Sequence, residues 1–406
     1  MRQMRARQRR RTAGRRRGLR YLAPLAAIAV LGAAACSSGS SSSPSTATSS
    51  TSTNASSSTP NSSTPTGSTS SSTAAAGKIV PKSQIKIAIV AGGPNVYFTT
   101  WGQVAQVMSK QLGVTVTYVV PPTPTYDPSV EVSTIDSLVA QGYNAFAIFP
   151  DGESAIIPTY QRLVNRGIPV FDLAGCTTDP TPALLCYATN VKASATYETQ
   201  VLQKAMGGSG NIAFLTGLLT DANTALREQG VNQAVTASGG KVKLAQLVSN
   251  IDSPSSAPPA VESLLASKGS SLNGMLSTDY YPSVAAASIL TSDPQFRHVL
   301  FIGQDNSPTV MNAIAKHYIY GTMFQNDWGQ AQVAITWLYD ILSKGCTVNP
   351  NGPFTPIPGP TSHFINSGYM FVSQSAVGQY LGKPANIPSN TAQTLAETSK
   401  FLNCPS

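Results

Sequence analysis

Short, nearly continuous apolar runs alternate with longer amphipathic stretches from about Ile85 onward. Such runs are typical of parallel strands covered on both faces, and the longer stretches supply the helical crossovers that parallel strands need. The pattern therefore predicts an α/β fold with doubly wound parallel sheets. The predicted strands are IKIAIV (85–90), VTVTYVV (114–120), NAFAIF (144–149), IPVFDL (168–173), NIAFLTG (211–217), KVKLAQLVS (241–249), NGMLST (273–278) and HVLFIG (298–303).

The eight predicted strands divide into two sets of four near residue 190, after a break between Cys176 and Cys186. One large sheet could hold all eight, but two sets of strand–helix units favour two similar lobes with a parallel sheet each. Ligands of open α/β sheets bind outside the carboxyl ends of the strands. Two lobes therefore also predict a cleft between them.

The basic charge of the chain is concentrated at its N-terminus. The formal net charge is +9, but ten of the 27 basic residues are arginines within residues 1–20, and no Asp or Glu precedes Asp127. The other residues carry 17 basic and 18 acidic side chains. A basic body is therefore excluded, and we expect no nucleic-acid partner.

The arginines are followed by a short apolar stretch, YLAPLAAIAVLGAAA (21–35), that ends at Cys36. A secretory signal typically has a positive segment, then an apolar segment too short to span a bilayer, and then small residues before a cleavage point. Residues 1–35 are therefore predicted to be a signal peptide. A nuclear-localisation or RNA-binding tail and a membrane-anchor helix are the alternatives.

The three alanines before Cys36 resemble a bacterial lipobox, although Leu31 stands five residues before the cysteine instead of three. The resemblance implies cleavage before Cys36 and a lipid on its sulfur, which anchors the protein to the outer face of the bacterial cytoplasmic membrane. An ordinary signal cut nearby is the alternative. Residues 36–77 are dominated by Ser and Thr, and they are predicted to be a disordered tether.

Four cysteines remain, which is an even number in a chain that is predicted to be exported. They therefore predict two disulfides. Of the three possible pairings, we favour Cys176 with Cys186 and Cys346 with Cys404. Neighbours close the smaller loops, and the C-terminal tail otherwise has little to hold it. A metal site is the alternative, but no CxxC spacing or nearby His supports it, so we expect no metal.

Polar and aromatic side chains follow several predicted strands at their carboxyl ends. The candidate ligand-binding residues among them are Asn95, Tyr97, Phe98, Asp172, Arg227, Asp279 and Asp305. An Asp in such a place is more often a helix N-cap than a ligand contact. Together, however, carboxylates, amides and a guanidinium facing aromatic rings suit a sugar, whose hydroxyls need donors and acceptors while its C–H faces pack on rings.

The sequence offers little enzymatic chemistry. It contains three histidines, His298, His317 and His363, and it has no GxSxG, HExxH or P-loop motif. We therefore expect a binding protein and not an enzyme, with no cofactor. A cleft hydrolase on a similar scaffold is the alternative, which turnover of a chromogenic substrate would favour.

Several motifs occur together in order and spacing. They are IKIAIVAGGPNVYF, DSLVAQGYNAFAIFPDGESAI and NRGIPVFDL in the first lobe, and GSGNIAFLTG, TALREQGV, FIGQDNSP and YGTMFQNDWGQAQVAITWLYDILSKG later. With these motifs the chain resembles the type 1 periplasmic sugar-binding proteins, close to ribose-binding proteins, over residues 84–375.

The resemblance implies site residues when it is carried over position by position. It places the family's asparagine at Asn95 and its stacking aromatic at Phe98, with Tyr97 beside it. It places the family's arginine at Arg227, its second-lobe aspartate at Asp305 and its late glutamine at Gln325. The Asp-Arg pair that the family often has after the fourth strand is Ala174-Gly175 here, which leaves Asp172 as its substitute. Two further positions differ from the family. Thr278-Asp279 stands where the family usually has Asn-Asp, and Gln304 stands where it often has an aromatic residue.

The resemblance also implies three chain crossings between lobes that close by a hinge motion. It predicts an N-terminal lobe of residues 84–189 and 326–346, and a C-terminal lobe of residues 190–325 and 366–406. It implies a monomer that closes on a monosaccharide and presents it to the permease of an ABC importer. A sensory or uptake protein for a non-sugar, such as an amino acid, nucleoside or signal molecule, is the alternative.

Overall fold

The computed structural model describes residues 79–122, 126–355 and 362–405. The predicted signal peptide, the predicted lipidation site Cys36 and the predicted tether lie outside these residues. Within the described ranges, no helix combines the length and the apolar character that a membrane span requires.

Strands and helices alternate along the described chain. The first segment contains β1 (Lys86–Val90), α1 (Thr99–Leu112), β2 (Thr115–Val119), α2 (Pro128–Ala140), β3 (Ala145–Ile148), α3 (Ile157–Asn165), β4 (Val170–Leu173) and β5 (Cys186–Ala188). The second contains α4 (Val191–Ala205), β6 (Gly210–Leu215), α5 (Ala222–Ala237), β7 (Val242–Val248), α6 (Ala257–Lys268), β8 (Gly274–Ser277), α7 (Tyr280–Ser292), β9 (Leu300–Gln304), α8 (Pro308–Ala315) and β10 (Gly321–Gln325). The last contains α9 (Asp327–Lys344), β11 (Thr347–Val348), β12 (Phe364–Asn366), β13 (Tyr369–Ser373), α10 (Pro388–Ala396), α11 (Thr398–Phe401) and β14 (Leu402–Asn403).

Twelve of the fourteen described strands form two six-stranded sheets, one for each lobe, and β11 and β14 form a separate antiparallel pair. The first sheet has the order β12-β5-β4-β3-β1-β2 and the second has the order β13-β10-β9-β8-β6-β7. Within these two sheets, all neighbouring strands pair in parallel except β13, which is antiparallel to β10. The predicted fold class, with two doubly wound parallel-sheet lobes, is confirmed.

Both faces of the first sheet are covered by apolar cores. In β1, Ile87 and Ile89 belong to one buried cluster, and Ala88 and Val90 belong to another on the opposite face. This burial on two sides is the reason why the strands are nearly continuous in hydrophobicity. All eight strands predicted from the sequence are present.

Four strands of the two six-stranded sheets are not among the eight predicted apolar runs. Of these, β13 lies in the segment that the resemblance assigned to the C-terminal lobe, whereas β5, β10 and β12 were not predicted at all. β5 and β12 contain three residues each, which is too short for an apolar pattern to appear. In β10, the polar side chains of Thr322 and Gln325 interrupt the apolar run. Strand signals in a sequence depend on uninterrupted length, and these strands lack it.

The C-terminal tail packs on the first lobe. Phe401 and Leu402 are buried in the same apolar core as Trp337 of α9, and Trp337 Nε1 donates a hydrogen bond to Thr398 Oγ1 at 2.9 Å. β14 also pairs with β11, which follows α9. The prediction that all of residues 366–406 belong to the C-terminal lobe is therefore wrong for the tail, because its apolar residues complete the core of the other lobe.

The structure joins Cys176 to Cys186 and Cys346 to Cys404, which is the pairing favoured from the sequence. The first disulfide connects the end of β4 to β5. The second connects the end of α9 to the last residues of the tail, so it closes the longer loop.

Asp172 does not face the cleft. It shares a face of β4 with Val170, which packs in the core next to α2 and α3, whereas Phe171 and Leu173 pack in the opposite core. Its Oδ2 accepts hydrogen bonds from Thr177 N at 2.7 Å and from Thr177 Oγ1 at 2.6 Å. The predicted ligand-binding role of Asp172 is wrong, because the alternation along the strand turns its side chain away from the cleft.

The two disulfides should differ in their contribution to stability. Replacing Cys346 and Cys404 by Ala should lower the free energy of unfolding by about 4 kcal/mol, against about 3 kcal/mol for Cys176 and Cys186, because the longer loop loses more entropy when it is closed. Urea unfolding of both double variants measures the difference. An equal loss in both would contradict the loop-entropy account.

Asp172 should make stability depend on pH. Burial raises its pKa to about 7, far above the ordinary value of about 3.9 for an Asp. Between these values the folded protein binds more protons than the unfolded chain, so stability should rise as the pH falls from 8 to 5. Asp172→Asn should flatten this dependence in urea unfolding. Asp136→Asn is the control, since Asp136 is 58% exposed, and an equal flattening there would refute the assignment.

Candidate functional site

A cavity lies between the two lobes, at the carboxyl ends of their strands. Residues from both lobes line it: Asn95, Tyr97, Phe98, Tyr126, Phe149 and Ala174 from the first lobe, and Asp221, Asn223, Arg227, Thr278, Asp279, Asp305 and Gln325 from the second. Each of them lies in a loop or helix start that follows a strand, or at the end of a strand. The open edge of each sheet therefore supplies one wall of the cavity.

Aromatic rings form the first-lobe wall. The Phe149 ring lies 5.2 Å from the rings of both Phe98 and Tyr126, measured between centroids, and Phe98 lies 5.1 Å from Tyr97. Gly92, just after β1, makes room for them, since a Cβ there would lie 2.5 Å from Phe149 and 2.9 Å from Tyr126. The wall offers ring faces and edges to a ligand.

Asn95 and Tyr97 are held in place by the turn that begins α1. Asn95 Oδ1 accepts a hydrogen bond from Tyr97 N at 3.0 Å and caps the short 3-10 helix that follows. The Tyr97 hydroxyl donates to Gln330 Oε1 at 2.8 Å. Burial and the nearby carboxylates of Asp327 and Asp305 raise the Tyr97 pKa, which keeps the hydroxyl neutral.

The second-lobe wall is centred on Arg227 of α5, which is 9% exposed. Its Nη1 lies 3.8 Å from Asp221 Oδ2 and 3.7 Å from Asp279 Oδ2. The other oxygen of each aspartate caps a helix, because Asp221 Oδ1 accepts from Asn223 N and Asp279 Oδ1 accepts from Tyr280 N. Asp221 and Asp279 therefore both cap a helix and line the cavity, so a helix cap does not exclude a place in the cavity wall.

Burial and charge oppose each other at Arg227. Burial lowers its pKa, but the carboxylates of Asp279, Asp221 and Asp305 outweigh this effect and raise it, so the guanidinium stays charged. Burial also raises the pKa of Asp221 to about 6, despite the opposing effect of Arg227.

Asp305 is not a helix cap. The N-cap of α8 is Ser307, whose side chain accepts a hydrogen bond from Val310 N. Asp305 instead has a left-handed backbone with φ of 63°, a conformation that Asp and Asn tolerate better than most residues. Its Oδ1 accepts from Gln304 Nε2 at 3.1 Å and from Gln325 Nε2 at 3.5 Å. Burial raises its pKa to about 7.

Another carboxyl group lies behind Arg227. Glu198 of α4 is fully buried, and neither of its carboxyl oxygens has a hydrogen-bond partner among the described residues. It lines a small chamber together with Arg227, Gln304 and Gln325. Burial raises its pKa and so favours the neutral carboxyl, which adds no negative charge to this wall.

Hydrogen bonds connect the lobes across the cleft. Asn95 Nδ2 lies 3.2 Å from both oxygens of Asp252, and Asn223 Nδ2 donates to Ala174 O at 3.1 Å. Burial and the neighbouring Asp279 raise the Asp252 pKa to about 9. The lobes are therefore closed over the cavity in this structure.

Seven of the eight residues predicted as ligand-binding line the cavity, and Asp172 does not. The predicted ligand-binding set left out six residues that line the cavity: Tyr126, Phe149, Ala174, Asp221, Asn223 and Thr278. Phe149, Asp221 and Asn223 lie at or just after the ends of predicted strands, so a signal existed for them. Tyr126 lies in a loop with no pattern of its own. No cluster of three or more His, Cys, Asp or Glu side chains in the described ranges is arranged to hold a metal.

Comparisons with known proteins identify the family to which this architecture belongs. The sequence profile of the periplasmic binding protein domain matches residues 87–345. A xylitol-binding protein of Mycolicibacterium smegmatis is 25% identical over 219 residues, which is 54% of this chain and 62% of that protein. The match therefore spans less than two thirds of that relative.

Two solved structures are similar in fold. An ABC-transporter solute-binding protein of Burkholderia graminis, in complex with D-arabinose, has a TM-score of 0.63 and 19% identity over 73% of this chain and 98% of that chain. A periplasmic solute-binding protein of Actinobacillus succinogenes, with bound D-allose, has a TM-score of 0.63 and 20% identity over 73% of this chain and all of that chain. The profile match covers more than half of the chain, and the chain therefore belongs to the periplasmic binding protein domain family.

Proposed function

We propose that this protein captures a small sugar or polyol between its lobes and delivers it to an ABC importer. The observation that carries the proposal is the pairing of an aromatic wall with a wall of carboxylates, amides and one guanidinium. A sugar needs both, because its C–H faces pack on rings while its hydroxyls donate to carboxylates and accept from Arg227 and the amides.

The relatives support this ligand class. The curated relative is a xylitol-binding protein, and the two solved structures hold D-arabinose and D-allose. All three compounds are small, uncharged and rich in hydroxyl groups. A cavity in which Arg227 already faces Asp221 and Asp279 suits an uncharged ligand better than an anion.

The proposed role needs binding and motion but no chemistry. The ligand adds contacts to both walls, so it stabilises the closed form, which the permease then recognises. On this proposal the protein acts as a monomer without a cofactor. It is exported by the signal in residues 1–35, and a lipid on Cys36 holds it at the outer face of the cytoplasmic membrane.

A thermal-shift screen tests the proposed function. The purified protein is heated with xylitol, D-arabinose, D-allose, other pentoses and hexoses, amino acids and nucleosides. A ligand at about 100 times its Kd stabilises by about 2.7 kcal/mol, which raises the Tm visibly. We expect sugars or polyols to raise the Tm. Stabilisation by amino acids or nucleosides alone would contradict the proposal.

Asp305 should contribute directly to affinity. Asp305→Asn keeps a residue that tolerates the left-handed backbone and still accepts from Gln304, but at about pH 8, above the Asp305 pKa of about 7, it loses the charge of the carboxylate. Because hydrogen bonds to charged groups are stronger by about 1–1.5 kcal/mol, the Kd for a sugar found in the screen should rise about tenfold, as measured by calorimetry. Asp293→Asn, at a helix cap outside the cavity, is the control and should leave the Kd unchanged. An unchanged Kd in Asp305→Asn would remove Asp305 from the site.

A further inference from the structure

A second cavity, of about 590 Å³, adjoins the candidate site. Tyr97 and Asp305 line both cavities, so they form the boundary between the two spaces. The second cavity has a first-lobe side at the start of α1, a second-lobe side at the start of α8, and a third side made by residues 381–384. It extends from the candidate site toward the surface between α1 and α8.

The inner part of the second cavity is acidic and aromatic. Asp327, the first residue of α9, lines it together with Asp305, Tyr97 and Tyr280. Asp327 is 2% exposed, and its Oδ1 has no hydrogen-bond partner among the described residues. A buried carboxyl oxygen without a partner is costly, and a donor brought by a ligand or by water would satisfy it.

The outer part of the second cavity mixes polar and apolar side chains. Thr100, Gln103 and Asn312 can donate and accept hydrogen bonds, whereas Val96 and Leu381 are large apolar residues that are 38% and 41% exposed. Of the described residues that line this cavity, Lys383 is the basic one, and it lies exposed at the rim.

This chemistry limits what the second cavity can hold. An anionic group, such as a sugar phosphate, would find no cation beside Asp305 and Asp327 among the described residues of the inner part, because the basic residue that lines the cavity, Lys383, lies at the rim. A purely apolar group would leave the unpartnered oxygen of Asp327 buried without a donor. A ring that carries hydroxyl groups meets both demands, because it donates to the carboxylates and packs its C–H faces on Tyr97 and Tyr280.

Closure of the lobes leaves the second cavity open. Asn95, Asp252, Ala174 and Asn223, which make hydrogen bonds across the cleft, do not line it. A ligand that extends past Tyr97 therefore does not have to break these bonds.

We propose that the second cavity holds a second sugar unit, so that the ligand of this protein is a saccharide of at least two units and not a lone monosaccharide. This inference rests on the proposed function, since the first unit lies in the candidate site. The boundary residues Tyr97 and Asp305 then contact both units.

Paired ligands test the inference. Calorimetry on the purified wild-type protein compares D-xylose with xylobiose, D-glucose with cellobiose, and D-galactose with galactobiose. For at least one pair, we expect the disaccharide to bind at least tenfold more tightly than its monosaccharide, because it adds contacts in the second cavity. If every disaccharide that is tested binds more weakly than its monosaccharide, the inference is wrong while the proposed function stands. If no saccharide of either size binds, the proposed function fails as well.

A variant that fills the second cavity gives an independent test. Asn312 is an exposed residue of α8 that lines the second cavity but not the candidate site. Asn312→Trp should raise the Kd of the preferred disaccharide at least tenfold and leave the Kd of the monosaccharide unchanged. Thr309→Trp places the same ring on an exposed position of α8 that does not line the cavity, and it should change neither value. Equal effects of Asn312→Trp on both ligands, or no effect on either, would overturn the inference.

Discussion

The buried guanidinium of Arg227 is the charge around which the second-lobe wall is built. A charge removed from water is tolerated only when opposite charges or hydrogen bonds compensate it. Asp221 and Asp279 supply that compensation with one oxygen each, and each uses its other oxygen to cap the helix that it begins. The atoms that start the helices and the atoms that form the site therefore belong to the same two side chains.

The two lobes divide the chemistry of the site between them. Most of the ionisable groups lie in the second lobe, and the aromatic rings lie in the first. When the lobes close, the rings exclude water from the carboxyl groups. This desolvation is the main reason why the pKa of Asp305 rises to about 7 and that of Asp221 to about 6. On the proposed function, a ligand that donates hydrogen bonds would restore what the excluded water provided, and ligand binding would then be coupled to closure.

The topology ties the first lobe to both ends of the described chain. Its sheet and core use the segment up to β5, then α9, β12 and the tail that carries Phe401. The disulfide between Cys346 and Cys404 holds this last piece in place. Because the chain leaves the first lobe and returns to it, the lobes can rotate only about a few connecting segments, which suits a hinge.

The sequence favoured the observed disulfide pairing over two others, and by itself it predicted the two-lobed α/β architecture and seven residues that line the cavity. These follow from local signals, namely apolar runs of strand length, the residues directly after them, and motifs shared with a known family. The sequence did not predict that Asp172 turns away, that the tail packs on the first lobe, or that Tyr126 and Phe149 complete the aromatic wall. Those facts depend on which face of a strand meets which core, and on which loops meet when two sheets approach each other. Such contacts join residues far apart in the chain, so only the tertiary structure decides them.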